Sequence, residues 1–166
     1  MIVGHGAIAK AIEDRDGWCF FAAGVANSHE TSEAEYAREH ELLMAQPRHL
    51  HLVYFSSLCV FGPETRYSWH KKRMEGMVRD FVNYTIVRLG NIEWAENPHQ
   101  LIPWLKGCIA SGRPFPVFNE YRHLLSLAEF QYWMKRIPDW NCEMNITGRL
   151  MKVSEIVKLC SQKFQL

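Results

Sequence analysis

The chain has 166 residues, 48% hydrophobic and 22% charged, with a formal net charge of +1. That balance suits one globular domain with a core of its own, and it gives no field that would draw the protein to nucleic acid or an anionic membrane. No apolar run approaches the roughly 18 residues of a membrane-spanning helix. The five cysteines form no Cys-x-x-Cys pair, and the start MIVGHGAIAK has no basic leader, so reduced thiols in a cytoplasmic protein are expected.

Met1 to Val3 is a short apolar start leading into Gly4-His-Gly6-Ala-Ile-Ala9, and a short helix to about Glu13 is expected to follow. Asp14-Arg-Asp-Gly17 reads as a turn, and Trp18 to Ala23 as a buried strand ending at Gly24. Ser32 with Glu35 is a capping-box pattern. Tyr36, His40 and Leu43 keep a helical phase until Pro47. Leu50 to Ser56 reads as a second buried strand, Tyr67 to about Val82 as a helix with Met74, Met77, Val78 and Phe81 inward, and Tyr84 to Leu89 as another strand.

Farther on, a helix is expected over Leu101 to Ser111 and an extended piece between Pro114 and Pro116. Ser126 and Glu129 are expected to open a helix to about Arg136 with Phe130, Trp133 and Ile137 inward. Met144 to Thr147 reads as a last strand, and Ser154 as the cap of a final helix carrying Ile156, Val157 and Cys160. Strands alternate with helices, which predicts an α/β fold built on a parallel sheet. No linker divides the chain.

Gly4-x-Gly6-x-x-Ala9 has the form of a phosphate-binding loop: glycines allow a tight turn and close backbone approach, and a helix start offers free N–H groups. Gly4, His5, Gly6, Ala7 and Ile8 are the candidate cofactor-binding residues there. The carboxylate that should bind an adenosine ribose about 20 residues later is missing: the region reads Phe20-Phe-Ala-Ala-Gly24, and Asp14 and Asp16 precede the strand. His49 and His51 flank Leu50 at strand spacing, but no third ligand accompanies them and no metal site is expected. The two Asn-x-Thr sequences at Asn83 and Asn145 are inert in a cytoplasmic chain. Tyr67-x-x-x-Lys71 sits on one helix face and carries little weight alone.

Taken in order, these segments resemble the extended short-chain dehydrogenases/reductases, the sugar-nucleotide epimerases, dehydratases and reductases. The Gly4 to Ala9 loop, Phe21-Ala-Ala-Gly-Val-Ala-Asn27, Val53-Tyr-Phe-Ser-Ser-Leu-Cys-Val-Phe-Gly62, Tyr67-x-x-x-Lys71, Thr85-Ile-Val-Arg-Leu-Gly-Asn91, Arg122-His-Leu-Leu-Ser-Leu-Ala-Glu129 and Asn145-Ile-Thr-Gly148 are similar to successive elements of that family. The resemblance implies a single truncated Rossmann-like domain over residues 1–166, with flanking helices and a reduced substrate-binding part from about residue 92. Between the first helix and Trp18 the family has two further strands and two helices. Their omission would leave the first strand near a sheet edge and remove the wing that holds the adenosine.

The resemblance also implies the chemistry: hydride transfer between NAD or NADP and a nucleotide-linked sugar. Tyr67 would be the acid/base, its phenolate favoured by the Lys71 charge. Lys71 would also hold the nicotinamide ribose, and Ser57 would hydrogen-bond the reacting oxygen. Ala23 and Gly24 would lie beside the cofactor, and Asn91 and Arg122 would bind substrate, Arg122 as a planar donor to a diphosphate. The resemblance also implies a homodimer or higher homo-oligomer, paired through the helices at Ser32 to Ala45 and Tyr67 to Val82. A non-catalytic scaffold that kept the fold but lost independent dinucleotide binding is the alternative, and a partner subunit that completes the missing wing is a third reading.

Overall fold

The computed structural model describes residues 1–115 and 120–162. Pro116, one end of the expected extended piece, lies outside them. Five parallel strands form the main sheet in the order β1 (Ile2–Val3), β2 (Trp18–Phe21), β3 (His51–Ser57), β4 (Tyr84–Leu89), β7 (Cys142–Ile146). The first strand is at the edge of this sheet, as the resemblance led one to expect.

Strand alternation separates two cores. Phe20, Val53, Phe55, Val87 and Leu89 face one layer, where they meet Phe130 and Met134 of α5 (Leu127–Met134). Phe21, Leu52, Tyr54 and Ile86 face the other, against Leu43 of α2 (Glu33–Met44) and Met74 and Val78 of α3 (Arg66–Val78). Successive side chains of a strand point to opposite faces, so runs apolar at every position, such as Leu52 to Phe55, belong to a sheet covered on both sides.

The helix starts follow their caps. The Ser32 hydroxyl accepts from the Glu35 N–H at 3.4 Å, and the Ser126 hydroxyl accepts from the Glu129 N–H at 3.2 Å. Thr65 and Ser68 cap each other reciprocally, which opens α3 one residue before Tyr67. Helix α3 ends at Val78, short of the expected Val82, in a turn that buries Phe81.

Several expectations need correction. Helix α1 (Ala7–Lys10) is a single turn and ends before Glu13, because the Ala11 N–H folds back to the Ile8 carbonyl and Ile12 is drawn into the core beneath the sheet. Strand β2 stops at Phe21, two residues early. Trp133 is 38% exposed and stacks edge-on with Tyr132, so α5 turns only Phe130 and Met134 inward. Ser154 lies inside α6 (Val153–Gln162), and the Glu155 carboxylate accepts the Lys152 N–H ahead of the first turn. His51 is buried against the Trp18 ring, with Nε2 2.8 Å from the Thr85 hydroxyl.

A second sheet was not expected. β5 (Asn91–Ile92) runs parallel to β6 (Tyr121–Leu125), which pairs antiparallel with β8 (Arg149–Lys152). Helices α4 (Leu101–Ala110) and α6 cover it, packing Ile102, Leu105, Ile156 and Cys160 against Leu124 of β6.

Candidate active site

The glycine-rich loop joins β1 to α1. Gly4 has φ +120°, and a Cβ there would lie 2.5 Å from the Ala22 carbonyl oxygen, so only glycine lets the loop pass this close to the end of β2. His5 and Gly6 are exposed, Ala7 and Ile8 half-buried. With α1 reduced to one turn, the helix dipole adds little to anion binding, and the backbone N–H groups remain the loop's main resource. The Trp94 indole N–H donates to the Ala7 carbonyl at 3.1 Å and Lys10 pairs with Glu96, so the segment after β5 is anchored on this loop.

The end of β3 and the start of α3 bring the next residues together. Ser57 closes β3, its hydroxyl accepts the Cys59 N–H at 3.2 Å, and it lies beside Tyr67. Tyr67 is only 8% exposed, under Val25, Tyr36 and Cys59. Lys71, one helical turn on, is 2% exposed, with its Nζ 5.7 Å from the Tyr67 ring centroid. The three candidate catalytic residues are therefore neighbours, as their spacing requires.

The charge around them is not what the sequence suggested. Lys71 donates to the Glu39 carboxylate at 2.9 Å and to the Tyr54 hydroxyl at 3.2 Å. Glu39 is fully buried, and it also accepts from the Val25 N–H at 2.7 Å, the Tyr54 hydroxyl at 2.7 Å and the His70 ring at 3.0 Å. Burial alone would push the Glu39 carboxyl up. The Lys71 charge and these hydrogen bonds overcome that and hold it well below the carboxylate range. Burial also pushes the Tyr67 phenol well above its ordinary value, helped by the fields of Cys59 and Glu39, and the nearby Ser57 hydroxyl only partly offsets this. The expected activation of Tyr67 by a free lysine charge is therefore not what the geometry contains.

Glu39, Tyr54 and His70 escaped the sequence reading. A signal existed for Glu39: it lies three residues after Tyr36 and four before Leu43, inside the buried stripe of α2. Ser56 accordingly faces away from the site and donates to Glu75 at 2.7 Å.

Ala23 and Gly24 pass directly beside this cluster. A Cβ at Gly24 would lie 2.8 Å from Lys71 Nζ and 2.9 Å from Glu39 Oε1, so the bare backbone of residue 24 brings the strand end against the ion pair. The candidate substrate residues lie on the small sheet. Asn91 is half-buried and donates to the His123 carbonyl at 3.1 Å. Arg122 is exposed and ion-paired to Glu120 at 2.5 Å. Between them, His123 Nδ1 is buried without a hydrogen-bond partner among the described residues. Among the described residues no cluster of three metal-ligating side chains occurs, and no helix is long and apolar enough to cross a membrane.

Gly4, His5 and Gly6 leave an exposed stretch of backbone that suits a phosphate, whereas Gly24 is packed against Lys71 and Glu39. Glu39 is the misfit, because it already holds the ammonium that a ribose would need.

No protein-family model matches the sequence, and no curated protein matches it either. Solved structures do. A dTDP-glucose 4,6-dehydratase from Bacillus anthracis, in complex with NAD, superposes with a TM-score of 0.66 at 16% identity, over 89% of this chain and 56% of that one. A Bordetella bronchiseptica enzyme in complex with NAD and UDP gives 0.63 at 14% identity, over 90% and 56%. The Helicobacter pylori ADP-L-glycero-D-manno-heptose-6-epimerase gives 0.66 at 17% identity, over 88% and 58%. The chain thus spans a little more than half the length of these proteins. Its fold is the α/β Rossmann-like fold of the epimerase and dehydratase type, with a five-stranded parallel sheet.

Proposed function

We propose that this chain is an NAD- or NADP-dependent oxidoreductase or epimerase-like protein acting on a nucleotide-linked sugar. The observation that carries this reading is the convergence of Ser57, Tyr67 and Lys71 from the end of β3 and one face of α3, next to the bare backbone of Gly24. Solved structures of the same fold bound to NAD and UDP support it.

In this reading a nicotinamide supplies or accepts hydride. Gly4, His5, Gly6, Ala7 and Ile8 would hold the pyrophosphate through backbone N–H groups, and Ala23 and Gly24 would lie beside the nicotinamide. Ser57 orients the sugar oxygen by a hydrogen bond, and Tyr67 exchanges a proton with that oxygen. Lys71 would have to leave Glu39 to hold the ribose. Asn91 and Arg122 bind the substrate, Arg122 leaving Glu120 for a diphosphate. Without a ribose-binding acid the cofactor is held weakly: one missing charged hydrogen bond costs about 1.5–3 kcal/mol, or roughly 10- to 150-fold in affinity.

Calorimetric titration with NADH and NADPH, repeated on Tyr67→Phe and Lys71→Ala, tests this. Micromolar binding that weakens in Lys71→Ala is the expected result. No binding by the wild type at millimolar cofactor would sink the stand-alone oxidoreductase. The second reading, a scaffold that kept the fold and lost the dinucleotide, is favoured by the Glu39–Lys71 pair, and it expects that negative outcome.

A further inference from the structure

The groove between α2 and α3 has no part in the chemistry just described. It measures about 250 Å³, with Glu33, Tyr36 and His40 of α2 on one side and His70, Arg73 and Met74 of α3 on the other. Steps of three and four residues put each set on one helix face. Tyr36, His70 and Met74 are buried and form the floor, and Arg73 is exposed at the rim. Arg73 and His40 make no hydrogen bond, ion pair or ring contact among the described residues. Glu33, the acid of the lining, is engaged by Arg66. The groove therefore offers an uncommitted guanidinium and no uncommitted carboxylate. His70 is held for a second partner. Its Nε2 lies 3.0 Å from Glu39 Oε2, and because Glu39 is ionised, Nε2 donates. The Tyr36 ring packs on the imidazole at 4.5 Å between centroids, so the ring is fixed from two sides. That leaves Nδ1 without a partner among the described residues. Only His123 Nδ1 is both sealed and unpaired among them, so the Nδ1 of His70 reaches the surface, at the groove it lines.

We propose that this groove is a binding site for a phosphate group, free or as the monoester of a small molecule, with Arg73 and His40 as donors and His70 sharing a proton with it. A planar guanidinium with all its N–H groups unused matches two oxygens of a phosphate. One proton lies between His70 Nδ1 and the ligand. The P–OH of a monoanion donates it to Nδ1, or the imidazolium donates it to a dianion, and a phosphate monoester supplies both forms because its second ionisation falls near pH 6. The groove is smaller than the roughly 300–1,000 Å³ of pockets that bury a drug-sized ligand, so the ligand is small. Buried Tyr36 and Met74 give its organic part an apolar floor. This site is distinct from Tyr67 and the glycine-rich loop, and it stands whether or not a dinucleotide binds there.

The test reads the two rings directly. The protein, with its eight histidines isotope-labelled, is titrated in the NMR tube with inorganic phosphate and, separately, with glycerol 3-phosphate, while chloride holds the ionic strength constant. His40→Gln identifies one signal, and the through-space contact with Tyr36 identifies that of His70. Both signals are expected to shift and saturate at millimolar phosphate or below. Arg73→Gln should weaken the binding about tenfold or more. Lys72→Gln removes a neighbouring α3 cation that pairs with Glu64 and does not line the groove, and it should leave the affinity unchanged. Tighter binding of glycerol 3-phosphate supports the site with a monoester as its ligand, and tighter binding of inorganic phosphate supports it with the free anion. Equal shifts with chloride, equal weakening by Lys72→Gln, or no saturable shift even at high millimolar phosphate would overturn the proposal. Rings that ignore phosphate, in a protein whose sedimentation shows a dimer that Arg73→Gln weakens, would give the groove to a second copy instead. A dinucleotide held by the glycine-rich loop and Lys71 is indifferent to Arg73→Gln, so this site and the proposed function fail separately.

Discussion

Glu39 and Glu75 are both buried acids contacting α3 or lying on it, and the fold neutralises them in opposite ways. Glu39 is met by one compact ammonium, two hydroxyl or ring donors and one backbone N–H, all inside the protein. Glu75, 3% exposed, receives Arg88 through two guanidinium nitrogens at 2.9 and 2.6 Å, together with the Ser56 hydroxyl. Arg88 continues to Glu143 at 2.5 Å, and Arg79 joins Glu143 and Glu75 where the network opens to solvent. A planar guanidinium can serve two carboxylates at once, whereas an ammonium on a flexible stem is a point charge. The Glu75 network therefore clamps α3 to β4 and β7 and can be rearranged at its exposed end. The Glu39 pair has no such exposed end.

The sharpest way to break this contrast is to remove one charge from the closed pair. Lys71→Met leaves Glu39 ionised and unpaired in the core, and a loss of about 3–5 kcal/mol is expected in urea denaturation. Replacing both partners, as in Glu39→Gln/Lys71→Met, should recover most of that loss. A single variant as stable as the wild type would mean that the pair is open to water.

Acid should produce the next largest effect. The Glu39 carboxyl is held below its ordinary value of 4.5, so its contribution is complete above that pH and is lost as pH falls below it. Urea midpoints between roughly pH 3 and 7 should fall on the acid side in the wild type, with a shallower fall in Glu39→Gln. Glu143 is lowered too, chiefly by Arg79, but its one-third exposure screens the effect.

The smallest change is expected at that exposed end. Glu143→Gln should cost only about 0.2–1 kcal/mol, and less at high salt, because Arg88 keeps both contacts to Glu75. A cost as large as that of Lys71→Met would erase the distinction between the two networks.

Much of this architecture was legible in the chain. The limits of β4 fall where the apolar run Tyr84 to Leu89 puts them, and the caps at Ser32 and Ser126 hold the helices they announced. The short pieces were not legible. Arg149–Lys152 has neither alternation nor β-branched residues, and it is a strand only because β6 offers it a partner. Trp133 has the right phase for the interior of α5, but Phe130 and Met134 fill that face.

At the site, the sequence by itself determined that Tyr67 and Lys71 share a helix face and that Ser57 ends the strand before them, because helical and strand periods fix those relations locally. It also determined that the chain passes from its first helix straight to the strand at Trp18. Only the tertiary structure decided what surrounds Lys71. Glu39 is 32 residues away from it, and its place in the buried stripe of α2 says only that it is inside, not which cation it meets. Packing α2 beside α3 buries the two charges together, where a carboxylate and an ammonium must satisfy each other.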